Sequence, residues 1–97
     1  MNQIPAPLFS AYTDILRSSL IYAKSLMLHN NKMVENVKKV TSLLDAVSGI
    51  PELIYNWNPE KEEIVRKRLA YFDAIWATDE GDFSLLKIYQ KHVSPVR

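Results

Sequence analysis

The side chains able to do acid–base, metal or nucleophilic chemistry are few, and their spacing suits none of it. The chain has two histidines, His29 and His92. A helical metal site needs a second ligand three or four residues away to share a face. Neither histidine has a carboxylate or imidazole at that distance, so both are expected at a surface or a helix end. The adjacent Glu62 and Glu63 diverge by about 100° on a helix and read as a solvated face, not an acid–base pair. Ser18 and Ser19 have no histidine placed by any motif to activate them. Two isolated glycines, Gly49 and Gly81, cannot form a phosphate-cradling loop. The absence of cysteine removes disulfides, thiolate metal sites and thiol catalysis. The expectation is a protein that is not an enzyme and uses neither cofactor nor metal.

The elements around these residues are those of a small helical domain. Ninety-seven residues, 47% of them hydrophobic and 24% charged, fit one domain spanning 1–97 with a core of its own. Twelve basic against eleven acidic residues give +1, which by itself offers no electrostatic case for nucleic acid or anionic lipid. Apolar runs of about four residues, such as Leu20 to Ala23, are far too short to span a bilayer. The N-terminus lacks the pattern of a secretory signal, so the expected location is cytoplasmic.

Proline and glycine punctuate an all-α reading. Helical segments are predicted over about 7–30, 31–48, 59–78 and 82–93, joined by a connector over 50–57. Gly49 is read as a left-handed C-terminal cap. Asn58-Pro59 is a strong helix start, because the amide caps and the ring presets the backbone. Glu62 with Arg66 and Glu63 with Lys67 are spaced for helical ion pairs.

One register crosses Asn30-Asn31 without a slip. Tyr12, Leu16, Ser19, Ala23, Leu26, Asn30, Met33, Val37, Val40, Leu44 and Val47 alternate steps of four and three, a heptad pattern over about five repeats. Two readings follow. Residues 7–48 form one helix of about 63 Å, with Leu16, Leu26, Asn30, Met33, Val37, Val40 and Leu44 as the seam of a coiled-coil homo-oligomer. Alternatively, the chain turns back at Asn30-Asn31 and closes an up-down bundle.

The first helix also carries more apolar residues than one stripe needs. Leu20 and Met27 flank the seam on one side, Ile15 on the other, and Ile21 and Leu28 lie on the far side. Such a helix is deeply buried or contacts something apolar, and a small domain has little interior to offer. Leu53, Ile54 and Trp57 make the connector too apolar for an ordinary loop: it plugs the end of the bundle or binds a partner. Ile15, Leu20, Ile21, Met27, Leu28, Leu53, Ile54 and Trp57 are therefore the candidate interaction surface. The partner would be further copies of the chain, a hydrophobic surface, or one protein target bound by a small regulatory or adaptor protein. Helical chorismate mutases have a similar length but gather spaced basic residues, whereas the first helix here has only Arg17.

Glu35-Asn36-Val37, Leu43-Leu44-Asp45, Glu52-Leu53-Ile54, Pro59-Glu60-Lys61 and Tyr71-Phe72, closing with Thr78 and Phe83, follow in an order that resembles part of the phasin family. Phasins are helical proteins that coat polyhydroxyalkanoate granules. The resemblance covers about half the chain and implies a non-enzymatic amphiphile that adsorbs to polyester through apolar helix faces and self-associates. The two tryptophans and the two glutamines depart from the family's usual Ala- and Gln-rich composition.

Overall fold

The computed structural model describes residues 3–28, 33–76 and 83–93. Five helices and no strand occur among them: α1 (Ala6–Met27), α2 (Met33–Val47), α3 (Ile50–Tyr55), α4 (Pro59–Trp76) and α5 (Leu85–Val93). Proline opens three of them where its missing N–H costs nothing: Pro7 in the first turn of α1, Pro51 in that of α3, and Pro59 at the start of α4. Asn58 caps α4, its Oδ1 accepting from the Glu60 N–H (2.8 Å) and the Lys61 N–H (3.3 Å). The start of α5 is capped by another helix. Asp73 of α4 accepts from the N–H of Leu85 and of Leu86 and from the Ser84 hydroxyl, at 2.8–3.0 Å.

The four longer helices form a ring of neighbours, α1 beside α2, α2 beside α4, α4 beside α5, and α5 back beside α1. Each adjacent pair is antiparallel. Asn36 reaches Leu26 and Lys39 covers Tyr22 across α1/α2; Tyr12 meets Tyr89 and Tyr22 meets Phe83 across α1/α5. This is the up-down arrangement, so the single helix over 7–48 is not formed. The longest dimension of the molecule is 44 Å, short of the roughly 63 Å that helix would need. The turn residues Asn30 and Asn31 lie outside the described residues. The register does not make a continuous coil: on α1 the seam residues Tyr12 and Ser19 are buried, whereas on α2 Val47 is buried but Met33, Val37 and Leu44 remain exposed.

That core contains Tyr12, Ile15, Leu43, Ala46, Val47, Ile50, Leu53, Val65, Leu69, Phe72 and Leu85. Ile15 and Leu53, expected on an interaction surface, are buried at its centre. Ile15 sits one turn from Tyr12 on the inner face of α1, and Leu53 comes in from below on α3. Ile54 and Trp57 are half-buried against the same core, while Tyr55 between them is exposed.

Gly49 also departs from expectation. Its φ is −86°, an ordinary right-handed conformation, and no left-handed cap is present. Its small size serves a close approach instead: a Cβ there would lie 3.3 Å from Val65 Cγ2 and 3.2 Å from Arg68 Nη1. Gly81 lies outside the described residues.

Candidate functional site

None of the described residues between Leu20 and Ser42 is fully buried. The ends of α1 and α2 therefore project past the last core layer, at Ser19 and Leu43, by about 13–15 Å at 1.5 Å per residue. Tyr22 marks the base of this arm. Its ring stacks on Phe83 at 4.2 Å, and Lys39 Nζ lies 5.2 Å from its centroid. Further out, Asn36 Nδ2 donates to the Leu26 carbonyl at 3.0 Å and ties the two helices together.

The arm exposes Leu20, Ile21, Met27, Leu28, Met33, Val34 and Val37, each between 43% and 73% accessible. Leu20 and Met27 are seven residues apart and share a side of α1; Ile21 and Leu28 share another, about 100° round. On α2, Val34 diverges from Met33 by the same angle and lies about 60° from Val37. Apolar side chains thus leave the arm in several directions.

The seam expected from the heptad pattern is divided. Leu16, Leu26 and Val40 are half-buried, whereas Met33, Val37 and Leu44 remain exposed. Asn30 lies outside the described residues. The interaction residues expected on α1 are divided likewise: Leu20, Ile21, Met27 and Leu28 face solvent while Ile15 does not.

Two polar clusters join helices in a way the sequence shows only in part: the Glu62–Arg66 pair follows from its i,i+4 spacing, but the partners on other helices do not. Glu62, expected on a solvated face, is buried. Its Oε2 accepts from the Tyr12 hydroxyl (2.8 Å) and the Tyr89 hydroxyl (3.2 Å) and pairs with Arg66 Nε (3.2 Å). Burial first, and then the bond donated to Glu62, push the Tyr12 phenol well above its ordinary range; Tyr89 is raised as well, by burial and by the charge of Glu62. His92 lies in the last turn of α5, as expected of a helix-end histidine, and has Nε2 2.9 Å from Asp14 Oδ2, a partner 78 residues away. That hydrogen bond lowers the Asp14 carboxyl below its usual range against the effect of desolvation, and Ser18 and Lys91 lower it further. Both clusters join α1 to α5, and neither opens into a cavity lined by its own groups.

A hollow of about 740 Å³ lies between the start of α1 and α3, beside Phe9, Ile54 and Tyr55, and a groove of about 580 Å³ lies between α2 and α4. Ala46, Phe72 and Trp76 form its apolar side, Ser42, Asp45 and Ser48 its α2 wall. No group of three or more potential metal ligands occurs among the described residues, and no described helix is long and apolar enough to cross a membrane. No protein-family model, no curated protein and no solved structure matches the chain.

Proposed function

We propose that this protein is not an enzyme but an interaction protein that works by burying the α1/α2 arm in a hydrophobic surface. The observation that supports it most is the arm itself: seven large apolar side chains exposed on more than one side of two helices. Half-burial of a Leu, Ile, Met or Val side chain is worth about 1 kcal/mol, so the arm holds several kcal/mol of unused hydrophobic free energy. A rigid partner covers one side of such an arm, whereas an extended apolar phase accepts all of them. A phasin-like coat on polyester granules is the form of this behaviour that the sequence resemblance implies. Polyester nanoparticles should adsorb the protein saturably, and Leu28→Glu with Val34→Glu should reduce adsorption at least tenfold while leaving helicity intact. Wild-type protein that stays in solution beside the particles would remove this reading.

Self-association is a second component of the same reading, favoured by the exposed heptad positions Met33, Val37 and Leu44 along the α1/α2 seam. A second copy laid on that edge would complete the helical layer. Sedimentation velocity should detect an oligomer that Val37→Glu with Leu44→Glu converts to monomer. A wild type that sediments as a monomer at high concentration would exclude the contact.

A further inference from the structure

The near-neutral charge of the whole chain hides a segregation that the fold makes meaningful. The described residues of the arm, 20–28 and 33–42, hold three basic side chains, Lys24, Lys38 and Lys39, and a single acid, Glu35, a sum of +2. The same stretch exposes the arm's apolar side chains. Lys39 lies over Tyr22. Lys24 and Lys38 have no ion pair among the described residues, although each is exposed on the arm.

We infer that the hydrophobic surface taken by the arm is an anionic lipid layer. This deepens the reading proposed above and rests on it. Apolar side chains leaving a helical arm in several directions suit a fluid acyl boundary, which closes around any shape. Lysines set among them suit negatively charged headgroups, because long aliphatic stems allow the ammonium to reach the headgroup level while the neighbouring side chains go deeper. An uncharged polyester or a neutral lipid surface offers the apolar half of this recognition only. A folded protein partner would have to surround the arm, and no described feature of this chain calls for that.

Vesicles of phosphatidylcholine alone, vesicles that also contain phosphatidylserine, and polyester nanoparticles separate the possibilities in one co-sedimentation experiment. The protein should bind the anionic vesicles at least tenfold more tightly than the neutral ones, and the preference should fade at high salt. Lys24→Gln with Lys38→Gln should weaken anionic binding by roughly fivefold per lysine and leave polyester adsorption unchanged. Leu28→Glu with Val34→Glu should abolish binding to every surface, with circular dichroism confirming that the helices persist. Equal binding to neutral and anionic vesicles, or adsorption to polyester with no vesicle binding, overturns the lipid assignment and leaves the hydrophobic-arm reading standing. Binding to none of the three overturns both.

Discussion

Glu62→Ala should destabilise the fold by about 3 kcal/mol, a large share of the roughly 5–15 kcal/mol that holds a domain of this size together. The substitution removes the acceptor shared by Tyr12, Tyr89 and Arg66. Hydrogen bonds to a charged group contribute about 1.5–3 kcal/mol, and a buried hydroxyl left without a partner costs about 1–3 kcal/mol. Tyr12 is fully buried and has no route to water, so its hydroxyl bears the penalty. The guanidinium of Arg66 is half-exposed and can turn to solvent, which limits its own contribution. Tyr12→Phe removes a donor and leaves the carboxylate with two partners, so it should cost only about 1 kcal/mol. Urea denaturation of the two variants checks the order, and a Glu62→Ala protein as stable as wild type would show that the cluster is not buried in solution.

The same cluster predicts an alkaline limit. The folded state keeps the Tyr12 proton above the pH at which an unfolded tyrosine releases it, near 10. The native state therefore binds more protons than the unfolded chain in that range. Stability from this group is complete below about pH 10 and falls as pH rises further, by about 1.4 kcal/mol per pH unit. Tyr12→Phe should flatten the decline, although it weakens the protein at neutral pH.

Phe72→Ala should cost about 3–5 kcal/mol, while Tyr71→Ala, one residue earlier, should cost less than 1 kcal/mol. Phe72 is 2% exposed and Tyr71 70%. The difference is one of helix phase: α4 turns Glu62, Val65, Leu69 and Phe72 inward, and the neighbouring position falls about 100° away. Removing the buried ring leaves a cavity lined by core residues that α2 and α4 cannot collapse to fill. Thermal melts should separate the pair by well over 10 °C at about 4–8 °C per kcal/mol. Equal melting temperatures would mean that α4 is rotated or unpacked.

Local chemistry was readable along the chain wherever the cause is local. Asn58 caps the helix that Pro59 opens because both effects need only their own backbone. Amphipathic phase was readable as well, since Tyr12, Ser19 and Val47 do face inward as the heptad requires. Continuity was not. A turn of suitable length restores the phase of the next helix, so an unbroken register is compatible with both a 42-residue rod and a hairpin. Contacts between Tyr22 and Lys39 and between Leu26 and Asn36 exclude the rod.

Gly49 has an equally non-local reason, because the groups it makes room for, Val65 and Arg68, belong to another helix. Ile15 and Leu53 look like Leu20 and Ile21 in the sequence, yet only the first two meet facing helices. The apolar surplus and the basic residues Lys24, Lys38 and Lys39 were both in the sequence. They become an arm because no described residue between Leu20 and Ser42 is fully buried.

By itself the sequence determined the longer helices, the Asn58 cap and an excess of apolar surface, because these follow from propensity and period within one segment. The tertiary structure decided which carboxylates are buried, with Glu62 and Asp14 held by partners on other helices. It also decided which apolar residues reach water. Burial depends on what stands opposite a side chain, and residues far apart in the chain supply that neighbour.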